Sequence, residues 1–546
     1  MNYAQVALNL PVDKLFDYAI PEHLREEVKV GKRVWVEFRN RKAVAYIVKL
    51  LEESRLKKVK EIKKVIDEQS IISSFSLLLS KWLSKYYFCS WGEAIALTLP
   101  SPLRKGQRRT NPSPPTPLPC RNWKWVGAKE NLDLNPDLDP KQSLSADKII
   151  EAIKQNDFQP SFIYDNAEER IKIYLRLSEY VLSQNKGVIV LVPQISLASK
   201  LIAGFISHFG KIIAQCHSRL SSRQQFQEWQ RIEEGKAKII IGTRSAVFSS
   251  LKNLGLIIVD EEQSNSYKEE NMPRYNAREV AVKKAEIEKA TIVLGTSVPS
   301  LQTYHKAKLQ EYKLLQTKEK KEILKTRIIE RRKEDPSISP FLKMRIEEYL
   351  QKKKRVVLYT RLGGQRIIKG ENFSDLGLIG VISADSILNL PNFLAGERTF
   401  QLLSQIGIEA KKTKAEFVIQ TYNATHFSIV AAAKEDWEGF YEKEIAYRQE
   451  LDYPPFTHFI NIILRNKNEE NLKKEIGDLS EQLKNKFGET RVLGPIALKS
   501  FKAKPSIYCR YIILKTKDIL KTNPVLKEVL VNFSRVIIDV DPLFFF

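Results

Sequence analysis

Residues 239–285 read IIIGTRSAVFSSLKNLGLIIVDEEQSNSYKEENMPRYNAREVAVKKA, and two features of that stretch decide the fold. Ile239–Ile241 and Leu254–Val259 belong to apolar runs that are continuous rather than alternating. Such strands are buried on both faces, as in a parallel sheet covered by helices on each side. The second feature is the triplet that ends each run: Gly242–Thr243–Arg244 after the first, Asp260–Glu261–Glu262 after the second. Nucleotide-dependent α/β enzymes place their chemistry at such carboxyl ends. An Asp there can hold Mg²⁺ and the next Glu can orient a water toward a γ-phosphate. The same residues can equally cap a following helix.

Working outward, GVIVLVP (187–193) and TIVLGT (291–296) supply further buried strands. A second set, RVVLYT (355–360), LGLIGVIS (376–383) and EFVIQTY (416–422), comes after a lysine-rich helical stretch. Most runs are separated by enough chain for a helix, so the pattern predicts two α/β lobes in tandem. Before them, Val28–Leu51 reads as two β-rich runs joined by a polar turn at Arg39–Asn40–Arg41, then one helix over about Ser74–Ala96. Five prolines between Asn111 and Pro119 predict an extended linker. The last ninety residues alternate strand-like runs with charged helices, the pattern of a compact α+β domain.

The 546 residues are too many for one core. With 89 Lys+Arg against 65 Asp+Glu, the chain carries +24, which makes nucleic acid the first partner to consider. A lysine-rich surface kept for solubility is the plainer explanation. Cys89, Cys120, Cys216 and Cys509 form no CxxC pair, so zinc and a dense disulfide framework are both excluded. The first twenty residues lack the plan of a signal peptide, and no uncharged run reaches the ~18 residues of a membrane span. A cytoplasmic protein with free thiols and no membrane partner is expected.

The 239–285 block closely resembles the Walker B region of the PriA helicases of bacterial replication restart (primosomal protein N′). So do VLVPQISLASK (190–200), CHSRLSSRQQFQEWQRI (216–232), LGTSVPSL (294–301), ERTFQLLSQ (397–405), IQTYNATH (419–426), FYEKEIAYRQELDYPPF (440–456), VLGPIA (492–497) and IDVDP (538–542) resemble other segments of that family. At the start, LPVDKLFDYAIP (10–21) resembles the opening of the family's 3′-DNA-binding domain. The resemblance implies a 3′-DNA-binding domain at 1–106 and helicase lobes at 141–318 and 319–456. A C-terminal α+β domain completes the chain at 457–546. The linker, 107–140, replaces a winged helix that is missing or vestigial.

The departures from that pattern carry equal weight. The family's phosphate-binding loop, G-x-T-G-S-G-K-T, corresponds here to FIYDNAEERIKIYL (162–175), which has no glycine and adds Asp165, Glu168 and Glu169. These carboxylates would repel a triphosphate. The family's DEEH appears as Asp260–Glu261–Glu262–Gln263. Its motif VI, Q-x-A-G-R-A-G-R, appears as Gln405–Lys412, with Glu409 and Lys412 at the two arginine positions. A lost arginine finger costs on the order of 10³-fold or more in rate. No cysteine lies between LYTRLGGQRI (358–367) and KGENFSDLGLIGV (369–381), so the family's zinc insertion is absent.

The resemblance therefore implies a protein that binds forked or 3′-ended DNA as a monomer, with primosome or single-stranded-DNA-binding proteins as partners. By family it is an ATP-dependent helicase; here the catalytic remnants Asp260, Glu261, Glu262 and Gln263 are expected to be inactive, with no cofactor. The alternatives are a weakly active 3′-to-5′ helicase with an atypical nucleotide site and a decaying protein. The family's 3′-end pocket maps to Phe16, Asp17 and Lys60: a ring to stack on a base, a carboxylate for a 3′-OH and a cation for a phosphate. Otherwise Phe16 is core and Asp17 a turn residue. Basic runs at Lys57, Lys58, Lys60, Lys63 and Lys64, at Lys352–Arg355, and at Lys499, Lys502 and Lys504 around Phe501 either track phosphates or are solvated faces.

Overall fold

A computed structural model describes residues 1–56, 58–106, 140–155, 158–316, 324–332, 334, 336–360, 362, 366–497, 507–533 and 535–544. The linker and winged-helix expectations, Lys57, and the basic stretch around Phe501 lie outside those residues.

The N-terminal sheet is antiparallel. Its strands are β1 (Tyr3–Leu8), β2 (Phe16–Ala19), β3 (Arg33–Phe38), β4 (Arg41–Leu51) and β5 (Lys64–Val65), in the order β2-β1-β4-β3-β5. The polar turn between β3 and β4 forms as expected, with Arg39 and Asn40 both at positive φ, the geometry of a tight hairpin. The single helix expected next is two, α1 (Ser74–Tyr86) and α2 (Trp91–Leu97), succeeded by the short α3 (Ser101–Arg104). The break falls where Phe88 turns left-handed and Ser90 starts α2 with a capping box to Glu93. Leu79, Leu83 and Tyr87 leave the N-terminal domain and enter the core of the first lobe.

That lobe runs α4 (Pro140–Gln155), β6 (Ser161–Tyr164), α5 (Ala167–Ser183), β7 (Gly187–Leu191), α6 (Ser199–Phe209), β8 (Ile213–Cys216), α7 (Ser222–Glu233), β9 (Ile239–Gly242), β10 (Leu254–Asp260), α8 (Ala277–Glu288), β11 (Thr291–Thr296), α9 (Leu301–Lys308) and β12 (Lys313–Leu315). Its seven strands are all parallel, ordered β12-β6-β11-β10-β7-β9-β8. The continuous aliphatic runs explain this. Ile189, Leu191, Ile257 and Val259 face one core, while Val188, Val190, Leu256 and Ile258 face another on the opposite side. Each such buried side chain is worth about 1.5–3 kcal/mol.

The second lobe comprises β13 (Thr326–Glu330), α10 (Pro340–Gln351), β14 (Arg355–Tyr359), β15 (Arg366–Lys369), β16 (Leu376–Val381), α11 (Asp385–Leu388), α12 (Ala395–Thr413), β17 (Glu416–Thr421), α13 (Phe427–Ala433) and α14 (Trp437–Glu450). The sheet order is β13-β17-β16-β14-β15. It is parallel except for β15, an exposed edge strand antiparallel to β14. The C-terminal domain packs α15 (Glu469–Phe487) and α16 (Ile519–Leu530) on the antiparallel sheet β19-β20-β18-β21. Those strands are β18 (His458–Asn466), β19 (Val492–Ala497), β20 (Tyr508–Thr516) and β21 (Ile537–Val540).

The C-terminal domain is pinned to the rest by charge. Asp539 takes Lys268 at 2.8 Å and Arg274 at 3.0 Å, and Asp541, which faces His458 of its own domain at 3.0 Å, accepts a hydrogen bond from Tyr86 at 3.3 Å. No helix among the described residues is long and apolar enough to cross a membrane.

Candidate functional site

The acidic triplet Asp260–Glu261–Glu262 sits where the sequence puts it, at the carboxyl end of β10 in the middle of the parallel sheet. Beside it, β11 and then β6 end in register, with Thr296 opposite Tyr164. A phosphate-binding loop would leave β6 and enter α5. Here that connection is two residues, Asp165 and Asn166. Asp165 stays on the sheet by donating its N–H to Thr296 O at 3.0 Å. Asn166 is the N-cap: its Oδ1 accepts from Glu168 N at 3.0 Å and Glu169 N at 3.1 Å. Two of the first-turn amides that could hold an anion, those of Glu168 and Glu169, are thus satisfied inside the chain.

One turn into α5, Arg170 is buried at 1% exposure and reaches across to the end of β10. Its Nε donates to Asp260 Oδ1 at 3.0 Å, and Nη2 pairs with the same oxygen at 2.9 Å and with Glu261 Oε1. Nη1 donates to Asp165 O and to Ser297 Oγ, both at 2.7 Å. Tyr174, the next turn along α5, adds a hydrogen bond to Asp260 Oδ1 at 3.1 Å. Residue 295 has to be glycine for this to pack, since a Cβ there would lie 1.7 Å from the Tyr174 hydroxyl.

The electrostatics come from that geometry. Burial opposes charge on Arg170, but Asp260 and Glu261 outweigh it and hold the guanidinium well above its ordinary value. Burial pushes the Asp260 carboxyl up, with Arg170 pulling against it. Burial also works against Glu261, yet Arg170 and hydrogen bonds from Gln263 and Ser297 leave it below the usual carboxylate range. Gln263 is oriented in turn by Thr296, whose hydroxyl donates to its Oε1 at 2.6 Å. Asp260 and the Glu168 and Glu169 amides are committed within the chain, and this arrangement does not fit a Mg²⁺-bound triphosphate. Among the described residues, no His/Cys/Asp/Glu cluster is arranged to hold a metal.

Glu262 belongs to a second network that crosses between the lobes. It takes Arg278 Nη1 at 2.8 Å, Ser300 N at 2.7 Å and Thr303 Oγ1 at 2.8 Å. Next to Ser300, Leu301 N at the start of α9 donates to Glu397 of α12 at 2.8 Å, and Glu397 pairs with Arg448 of α14 at 2.8 Å. Tyr304 packs edge-on to Trp437 and Tyr441 in the same seam. The motif VI segment, Gln405–Lys412, is the last two turns of α12; there Glu409 accepts a hydrogen bond from Tyr359 at 2.9 Å.

In the N-terminal domain, Phe16 and Asp17 are adjacent on β2 and therefore face opposite sides of it. Phe16 is half-buried against the domain core, edge-on to Phe38 at 5.1 Å. Asp17 accepts from Gln5 Nε2 at 3.1 Å and Ser54 Oγ at 2.7 Å. Lys60 lies beside β2 through its backbone, but its ammonium pairs with Glu37 at 2.6 Å. The three residues share one small domain without converging on one pocket.

Three family models match the chain in order. They are the 3′ DNA-binding domain of PriA over residues 5–100, the DEAD/DEAH box helicase over 170–306, and the primosomal protein N C-terminal domain over 449–543. Replication restart protein PriA of Bacillus subtilis (strain 168) is 24% identical over 787 aligned positions, covering 98% of this chain and 98% of that one. The Chlamydia pneumoniae protein of the same name is 25% identical over 737 positions, covering 99% and 98%.

The chain belongs to the PriA family.

An alignment of 787 positions on 546 residues leaves more than two hundred filled by the Bacillus relative alone. Both ends match, so this PriA homologue differs from that relative by internal shortening. Among solved structures, the DUF1998 helicase MrfA superposes with TM-score 0.34 and 10% identity over 56% of this chain and 52% of that one. The PriA motifs quoted from the sequence led to Asp260 and its neighbours. Arg170, Asn166 and Tyr174 lay inside the quoted 162–175 stretch and were missed as site residues. Arg170 is the sole cation in the first turn of α5, and that was the available signal.

Proposed function

We propose that this PriA homologue acts in replication restart by binding forked or 3′-ended DNA, and that its ATPase and helicase activities are lost. The observation that carries the second part is Arg170: a guanidinium occupies the carboxylates that would otherwise hold Mg²⁺, across a strand-to-helix link of two residues. In agreement with it, the helicase match begins at residue 170, past that link. Three facts support the first part: the 3′ DNA-binding match over residues 5–100, the charge of +24, and the relatives' shared name. Within that domain Asp17 is the proposed contact for a terminal 3′-OH; for Phe16, on the opposite side of β2, to meet a base and Lys60, now paired with Glu37, a phosphate, these side chains have to rearrange on binding. The protein works as a monomer, with primosome or single-stranded-DNA-binding proteins as partners.

The test is binding of a fluorescent ATP analogue with Mg²⁺, with and without a forked DNA bearing a free 3′ end. No nucleotide binding, with fork binding that weakens several-fold on Asp17→Ala, is the expected result. Saturable micromolar nucleotide binding lost on Asp260→Ala would instead establish the rival reading, a weakly active 3′-to-5′ helicase.

A further inference from the structure

A cavity of about 120 Å³ opens where the two lobes and the C-terminal domain meet, reaching the Arg170 site only at Glu262 and Gln263. It contains five cationic or basic side chains, four of them matched. Arg278 pairs with Glu262, Arg448 with Glu397 and Glu444, Lys268 with Asp539, and His458 faces Asp541. The fifth is Arg398, on the first turns of α12. It is 8% exposed, and no carboxylate among the described residues forms an ion pair with it. Its Nη2 donates to the carbonyl of Leu543 at 2.9 Å, its Nε meets no acceptor, and the Phe544 ring stacks 4.2 Å from the guanidinium carbon. The adjacent Glu397 is committed to Leu301 N and Arg448.

A buried guanidinium without a counter-charge is costly to hold, and a carbonyl and an aromatic face offset little of that cost. Burial presses its pKa down to about 10, with only a weak opposing pull from Glu397. The side-chain amides of Asn265 and Gln302 line the same cavity and add neutral donors. A guanidinium fork with amides beside it is chemistry suited to a tetrahedral oxyanion.

We infer that this three-domain cavity is a phosphate-binding subsite organised by Arg398. The phosphate comes either from a polynucleotide strand crossing the junction or from solution as free phosphate. The first source rests on the DNA-binding reading above; the second does not.

Two measurements on the full chain, on wild type, Arg398→Gln and Arg398→Lys, separate the outcomes. The first is the thermal midpoint in inorganic phosphate or pyrophosphate against chloride at equal ionic strength. The second is the salt dependence of binding to a single-stranded oligonucleotide. A strand phosphate at Arg398 predicts that Arg398→Gln lowers the log–log salt slope by about 0.7, while Arg398→Lys retains it. A free-phosphate site predicts stabilisation of wild type and the Lys variant by phosphate, absent in the Gln variant, with the DNA slope unchanged. If Arg398→Gln alters neither, the subsite is overturned. If wild type binds no DNA, the functional reading fails while the phosphate melt still decides the subsite.

Discussion

Replacing Arg170 with alanine removes the counter-charge from two buried carboxylates at once. The wild-type guanidinium gives Asp260 two contacts at 2.9 and 3.0 Å, pairs with Glu261, and ties both to Ser297 and the Asp165 carbonyl. Breaking a buried pair by deleting one partner costs about 3–5 kcal/mol, because the remaining charge stays desolvated. For a lobe of this size, each kcal/mol moves the thermal midpoint by about 2–4 °C, so a fall of roughly 6–20 °C is expected at neutral pH. The loss should shrink on acidification. Without Arg170, burial raises the folded-state pKa of both carboxyls above their unfolded values, so the folded state binds the extra protons. Stability of the variant therefore rises as pH falls, and the gap to wild type narrows between about pH 7 and pH 5. Millimolar Mg²⁺ or Mn²⁺ should recover part of the loss by binding the freed carboxylates. Calorimetry on wild type, Arg170→Ala and Arg170→Lys reads all three effects, with the Lys variant intermediate because it keeps the charge and loses the fork. A midpoint for Arg170→Ala within 2 °C of wild type at pH 5 and pH 8 would refute the reasoning, since Asp260 and Glu261 would then have another source of compensation.

Three other perturbations test other parts of the structure. Asp67→Asn strips the charge partner from Arg33, whose Nη2 lies 2.6 Å from Asp67 Oδ1 with both side chains buried; about 3–5 kcal/mol should be lost, read from urea unfolding. Glu397→Gln weakens the buried link between Leu301 and Arg448; with Glu444 still pairing Arg448, a loss of about 1–3 kcal/mol is expected, together with earlier separation of the lobe transitions in calorimetry. His458 is held above its ordinary value mainly by Asp541, with Glu279 adding to that and burial and Lys306 opposing it. A raised imidazole pKa contributes stability that is fully present below about pH 6.5 and is lost as pH rises through the folded value. Stability of wild type should thus decline above pH 6.5, and His458→Gln should flatten that part of the profile.

The sheets were legible because burial leaves a periodic trace. Ile189 and Leu191 face one way, Val188 and Val190 the other, and a run apolar at all four positions has few alternatives to a parallel strand covered on both sides. The helix break at 87–90 was also written in the sequence, since Ser90-x-x-Glu93 is a capping box, but the apolar residues on either side masked it. β15 was not legible. Its four residues, Arg366–Lys369, are all exposed, so no burial pattern marks them as a strand. The site was half legible. Counting Asp165, Glu168 and Glu169 together as repulsive to a triphosphate treated charges along the chain as a sum. Folding separates them: Glu168 faces Lys200 on the surface, while Arg170, two residues later, turns inward. Nothing in a linear reading connects Arg170 to Asp260, ninety positions away; β6 and β10, separated only by β11, make them neighbours.

That neighbour relation changes what the survival of Asp260–Glu261–Glu262 means. Taken alone, an intact acidic triplet argues for residual ATPase, because a chain freed from catalysis has no chemical reason to keep it. Here each carboxylate has a structural task. Asp260 and Glu261 are the partners of a fully buried guanidinium, and Glu262 orders Ser300 and Thr303 and pairs with Arg278. Substituting any of them would strand a buried arginine or leave backbone and hydroxyl donors unsatisfied, at a cost comparable to a sizeable share of a domain's net stability. A motor residue whose cation is supplied by its own chain is retained by packing. The triplet therefore carries no weight toward hydrolysis, and the question of nucleotide binding rests on the two-residue link and its capped amides.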